Sequence, residues 1–137
     1  MNSQFAHLKC LANKPILYIG EVGAVNIFKK SPDPHYRKMK LFKYGISDNV
    51  YRRIAYSHMK KFDYFDLHLI RETPVHRLVE SLLTRELKKE GIHVKMSIRG
   101  HVHRELFVLE NNSTHLEWVE KKVDSLIEEL VYIQNTK

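Results

Sequence analysis

Apolar and polar positions along this chain fall into short blocks whose period changes from one block to the next. "PILYIGE", Pro15–Glu21, is rich in β-formers and opens on a proline, which predicts a strand. "AVNIF", Ala24–Phe28, predicts a second short strand, and "KKSPDPHYRK", Lys29–Lys38, with two prolines around an aspartate, predicts a loop. "MKLFKYGIS", Met39–Ser47, predicts a strand that ends at Gly45. Ser47 or Asp48 can then cap a helix over "VYRRIAYSHMKK", where Val50 and Ile54 stand one turn apart. "FDYFDLHLI", Phe62–Ile70, sets Tyr64, Asp66 and His68 against Phe65, Leu67 and Leu69, which is strand spacing.

Beyond Ile70 the period lengthens. Thr73 offers a cap and Pro74 a first helical position, and Val75, Leu78, Val79, Leu82 and Leu83 form one stripe that Gly91 closes. "IHVKMSI" and "RELFVL" predict short strands. Thr114 and Glu117 then have capping-box spacing ahead of a long amphipathic helix marked by Leu116, Val119, Val123, Leu126 and Leu130. The expected fold class is α/β of the α+β kind: a small mixed, mostly antiparallel sheet flanked by helices, ending in a long amphipathic helix. One domain is expected over residues 1–137, with its core over about 15–110 and the last helix over about 113–135. The apolar residues of that helix alternate by three and four, which suits packing on its own domain or a homodimeric coiled-coil seam.

Composition narrows the class. With 43% hydrophobic and 10% aromatic residues the 137-residue chain is globular in type, and charged residues interrupt every apolar patch short of a membrane span. No membrane partner is expected. The start, "MNSQFAHLKCLA", lacks the pattern of a secretory signal, and a single cysteine, Cys10, fits a reducing, cytoplasmic compartment. Formal net charge is +7, unevenly spread. Between Phe28 and Lys61 ten basic residues face two acidic ones, whereas Asn112–Lys137 carries five acidic against three basic. Such asymmetry suits an anionic partner on one face, nucleic acid above all. Candidate phosphate contacts are Lys29, Lys30, Arg37, Lys38, Lys40, Arg52, Lys60 and Lys61, with Tyr36, Tyr51, Tyr56 and Tyr64 interleaved as candidates for bases or sugars.

A further set of residues resembles a known family. A first strand carries Tyr18; a later strand ends in "KYG", Lys43–Gly45; Arg53 follows eight residues past Gly45, and Glu80 lies in the next helix, in "LVESLL". In this order they resemble the GIY-YIG nuclease superfamily. The likeness is greatest to the divergent branch in phage and large-virus proteins, whose second tripeptide often starts with lysine. The literal "YIG" at Tyr18–Gly20 is a decoy, because eight residues past Gly20 stands Phe28. The match runs from about Ile16 to Leu83, with an echo in "RELF" at Arg104–Phe107. Ile16 stands where the first motif has glycine. Lys43 stands at the second motif's tyrosine and Tyr44 at its isoleucine, so a second phenol is absent or displaced to the other strand face. Family members often carry a histidine four residues past the arginine; here that place is Ser57, and His58 is one further.

The resemblance implies a metal-dependent endonuclease that cuts DNA, expected to be double-stranded. Tyr18, Arg53, Glu80, Lys43, Tyr44 and His58 are the candidate catalytic residues, and Glu80 holds Mg²⁺ or Mn²⁺. Phosphodiester chemistry asks for these groups on its own terms. A guanidinium shields the phosphate with a planar fork that never loses its charge, and a helix carboxylate can hold one divalent ion. A tyrosine of ordinary pKa, about 10, is a poor base and needs a cationic neighbour, for which Lys43 is a candidate. No cluster of acids surrounds Glu80, which favours one metal ion over two.

Each residue alone also has an ordinary reading. Tyr18 can be plain core, Arg53 a solvated surface arginine, and Glu80 a partner of Arg77 at i−3. His101 and His103 would share a strand face, but two histidines make no zinc site, and phosphate contact or surface placement is the simpler expectation. Two alternatives stand beside the nuclease: a nucleic-acid-binding module that kept the fold and lost the reaction, and a viral interaction protein using the acidic last helix. A viral source would put the protein in the cytoplasm of a bacterial host.

Overall fold

The computed structural model describes residues 3–23, 39–110 and 113–135. The expected strand Ala24–Phe28 and the basic loop Lys29–Lys38 lie outside the described residues. Ser3–Leu11 forms a 3-10 helix, followed by strands β1 (Ile16–Val22) and β2 (Met39–Ser47). A continuous helical segment, α1, spans residues 50–61, and then come β3 (Phe65–Glu72) and α2 (His76–Lys89). Strands β4 (His93–Ile98) and β5 (His101–Glu110) and helix α3 (Ser113–Asn135) complete the order.

The five strands make one sheet in the order β3-β1-β2-β5-β4, and every pairing is antiparallel. The sheet is therefore antiparallel throughout rather than mixed, and the fold is α+β. Helices cover both of its faces. Ile16, Tyr18, Val22 and Leu41 share one core cluster with Val50, Ile54 and Phe62 from α1 and its exit, and with Phe5 and Leu8 of the 3-10 helix. Leu17, Ile19, Phe42 and Tyr44 face the other way, into Val79, Leu83 and Leu87 of α2 and Val119 and Val123 of α3. Burial of β1 on both faces explains why Ile16–Gly20 reads as an apolar run ahead of Glu21.

Several element ends differ from expectation. The cap of α1 is Asn49, whose Oδ1 accepts the Arg52 N–H at 3.2 Å, while Ser47 Oγ accepts the Asn49 N–H at 3.0 Å. β3 starts at Phe65 and runs to Glu72, because residues 62–64 bend into the strand. α2 starts at His76: Thr73 Oγ1 accepts the Val75 N–H at 3.3 Å and organises the turn ahead of the helix. The stripe on α3 packs on the molecule's own sheet. Arg71 on β3 holds that helix by donating through Nε to Asp124 at 2.7 Å and through Nη2 to Glu120 at 3.2 Å. The expected Thr114 cap falls outside the side chains described. Among the described residues no helix is long and apolar enough to cross a membrane.

Candidate active site

Pairing between β2 and β5 stops at Lys43–Leu106, although β2 continues to Ser47 and β5 begins at His101. The two strands part there and leave a notch in the sheet. On the far side of β5 a bulge marks the same level. Between the pairs Val94–Leu106 and Met96–His103, β5 carries two residues, Arg104 and Glu105, against the single Lys95 of β4. An extra residue re-aims the side chains that follow it.

Tyr18 and Gly45 are directly paired across β1 and β2. A Cβ at Gly45 would sit 2.7 Å from the Tyr18 hydroxyl, so the glycine gives the phenol its seat. The ring is 2% exposed, edge-on to Phe65, and its hydroxyl lies 2.5 Å from His58 Nε2. Burial pushes the phenol above its usual pKa, with the positive charge of Arg53 opposing and the negative charges of Glu80 and Glu105 adding to the rise. His58 is stacked on Phe65 with ring centroids 5.4 Å apart. Burial first, then Lys43 and Arg53, push its pKa down to about 3, and its Nδ1 has no hydrogen-bond partner among the described residues. At neutral pH the pair is an uncharged phenol and an uncharged imidazole.

How His58 gets there is a matter of helix geometry. Arg53–His58 is a π-type turn inside α1, and the Met59 N–H reaches back five residues to the Ile54 carbonyl. A turn closed by i→i+5 bonds holds one more residue than an α turn, so residue i+5 takes the angular place that i+4 has in an α-helix. In this turn it is His58, and not Ser57, that reaches the Tyr18 hydroxyl.

Around this pair lie the charges. Lys43, 8% exposed, donates from Nζ to Glu105 Oε2 at 3.0 Å. Burial draws the Lys43 pKa below its usual value while Glu105 resists. Burial works to raise the Glu105 carboxyl, but the Lys43 ammonium outweighs it and the net shift is downward. Glu80 approaches from α2, on the other face of the sheet. Burial and the charge of Glu105 lift its pKa, and Lys43, Arg77 and Arg53 pull it back. Arg53, Glu80 and Glu105 all act electrostatically on the Tyr18 phenol, and Glu105 is itself bonded to Lys43. Glu80 makes no ion pair with Arg77 or any other described residue, and its carboxylate is half-buried. Arg53 is exposed, again with no ion-pair partner among the described residues.

Among the described residues no group of three His, Cys, Asp or Glu side chains could hold a metal ion together. A hard divalent cation asks for less, being held by one or two carboxylates with waters and substrate phosphate. The uncommitted Glu80 carboxylate fits that requirement.

Tyr44 lies on the other face of the sheet from Tyr18, the face from which Glu80 approaches. Strand alternation turns it to the α2 face, where it is fully buried; Thr84 Oγ1 donates to the Glu80 carbonyl at 3.0 Å and accepts from the Tyr44 hydroxyl at 2.5 Å. Burial pushes the Tyr44 phenol up to about 12. It anchors the turn that carries Glu80. Of the basic candidates, Arg52 and Lys60 are exposed, Lys61 is half-buried, and Lys40 is paired with Glu21 at 3.4 Å. Lys29, Lys30, Arg37, Lys38 and Tyr36 lie outside the described residues. His101 and His103 do share a strand face, with ring centroids 6.5 Å apart, but His101 is exposed whereas His103 is buried against Phe62 at 4.6 Å. Burial first, then Lys43, push the His103 pKa down to about 4. Glu105 was not a candidate from the sequence. The "RELF" echo touched it without giving it a role, because its link to Lys43 depends on strand pairing.

A family model described as T5orf172 domain matches residues 23–131. No curated protein and no solved structure matches the chain.

Proposed function

The chain belongs to the T5orf172 domain family, and from that membership and the groups around the notch we propose that it is a metal-dependent DNA endonuclease of the GIY-YIG kind. In this reading Lys43–Gly45 is the second tripeptide and Tyr18 belongs to the first. One observation carries it: Tyr18 of β1, seated on Gly45 of β2, has its hydroxyl 2.5 Å from His58 Nε2 of α1, so the two sequence motifs meet at one buried phenol–imidazole pair. Membership in a phage-associated family that occurs among nucleases supports the same class of partner, DNA.

Arg53 grips the phosphate as a bidentate donor, and nothing described competes for its guanidinium. Glu80 holds Mg²⁺ or Mn²⁺, which when bound supplies Lewis-acid stabilisation at the phosphate and leaving oxygen. Tyr18 positions the attacking water: its O–H donates to His58 Nε2, with His58 protonated at Nδ1, which leaves the phenol oxygen free to accept a hydrogen bond from that water. Arg53 is the cation that acts on the Tyr18 phenol, while Glu105 holds the Lys43 ammonium in place.

The deep burial of Tyr18 favours a second reading, a DNA-binding module that does not cut. Supercoiled plasmid separates the two. The endonuclease reading expects nicked or linear product with Mg²⁺ or Mn²⁺ and none with chelator; intact plasmid in both metals, with DNA binding retained, gives the binding module.

A further inference from the structure

A second feature lies on the outer side of α1, apart from the notch. Lys9 and Ala12 near the N-terminus and Asn49, Tyr51, Arg52 and Tyr56 line an open groove of about 460 Å³. The Tyr51 and Tyr56 rings meet edge to face, with centroids 5.9 Å apart at 89°. Lys9 Nζ stands 5.2 Å from the Tyr51 centroid, a cation–π distance. Tyr56 is 56% exposed, and no core packing explains an aromatic ring left in water on a helix whose other face is fully buried. No carboxylate lines the groove, and neither Lys9 nor Arg52 has an ion-pair partner among the described residues.

An exposed aromatic ring between two cations without ion-pair partners, in a groove lined by no acid, suits a flat π-system attached to a phosphate. We infer that this groove is a subsite for one unpaired nucleotide of a DNA strand, its base against Tyr56 and its phosphate between Arg52 and Lys9. The position in the fold fits. Arg52 and Arg53 are neighbours on α1, and Tyr56 follows within the next turn, three residues past Arg53. A DNA strand advances about 3.4 Å per nucleotide, so a strand whose phosphate Arg53 holds passes the groove within one or two nucleotides. Stacking on an aromatic ring is indifferent to base identity and requires the base to be out of the duplex. The site therefore selects DNA with an unpaired base beside the bound phosphate. This rests on the cleft being a DNA site, and it adds what form of DNA is preferred.

The test is fluorescence anisotropy with the full chain and chelator present, so that cleavage plays no part. Two probes are compared, a blunt duplex and the same duplex with a three-thymidine overhang. Wild type is expected to prefer the overhang. Tyr56→Ala is expected to lose about tenfold on the overhang probe, the order of one stacking contact, with little change on the blunt duplex; Tyr56→Phe is expected to keep the preference. Circular dichroism checks that each variant is folded. Equal affinity of wild type and Tyr56→Ala for the overhang overturns the subsite, even if plasmid is cut. An overhang preference that Tyr56→Ala abolishes upholds it, even if plasmid is never cut. No binding of either probe by wild type overturns both the subsite and the cleft's reading as a DNA site.

Discussion

At the scale of single residues the molecule's behaviour turns on a histidine that burial keeps uncharged. The folded-state pKa of His58, pushed down to about 3, lies below its unfolded value. The unfolded chain therefore binds more protons at mildly acid pH, and stability rises with pH through that range. Stability is full above the ordinary histidine pKa of about 6.5 and is lost as pH falls toward 3, by up to about 1.4 kcal/mol per pH unit for one such group. Urea denaturation at pH 7.5, 6 and 5 should show this slope, and His58→Gln should flatten it. A slope unchanged by that substitution puts the titration elsewhere. Gly45 gives a second prediction at this scale. Gly45→Ala forces the Tyr18 phenol to move, and because that ring is packed against Phe65 and bonded to His58 the cost is expected at about 1–3 kcal/mol. The urea midpoint reads it, and an unchanged midpoint shows that the seat has room to spare. Tyr18 and Gly45 were named from the sequence as parts of one spaced set, and the fold pairs them directly. The contact of His58 with Tyr18 was not legible, because spacing counts residues and cannot reveal how many a turn will hold.

At the scale of elements, two local irregularities build the cleft. The π turn brings His58 beneath Tyr18, and the bulge at Arg104 and Glu105 accompanies the opening between β2 and β5. Deleting Ser57 should convert the turn to ordinary α geometry while leaving the histidine four residues past Arg53. The shortened protein is expected to fold and to keep a chymotryptic protection pattern close to wild type. Its histidine should keep a strongly depressed pKa by NMR titration. A histidine that titrates near 6.5 in a folded protein contradicts the register argument. Tyr44 acts at this scale too. Tyr44→Phe removes the bond to Thr84 and should cost about 0.5–1.5 kcal/mol, on the sheet face away from Tyr18. The start of strand β2 was legible to the residue, but the strand runs to Ser47, two residues past the expected end at Gly45. The start of α2 was not legible, because Thr73 serves the turn and leaves Val75 as the flanking residue. Neither irregularity leaves a mark in hydrophobic period, which is why Glu105 was missed.

At the scale of the whole molecule, charge and architecture divide the work. The positive excess falls before Lys61 and the negative excess falls in the last helix, whose Glu120 and Asp124 are engaged by Arg71. Binding to duplex DNA should weaken steeply with salt, with a log–log slope of about −0.9 for each phosphate neutralised; a flat response would remove the basic face from the picture. The overall fold class was legible because strand and helix periods alternate cleanly. The order β3-β1-β2-β5-β4 was not, since strand neighbours are chosen by long-range packing. The decisive measurement is cleavage of plasmid DNA in Mg²⁺ or Mn²⁺ by wild type and Glu80→Ala, with DNA affinity measured on the same preparations. Glu80→Ala is expected to bind like wild type and to cut at least about a hundredfold more slowly, the order expected for losing a metal ligand or its supporting contacts. Cutting at the wild-type rate would contradict the assignment of Glu80 and, with it, the cleft as a metal-dependent nuclease site.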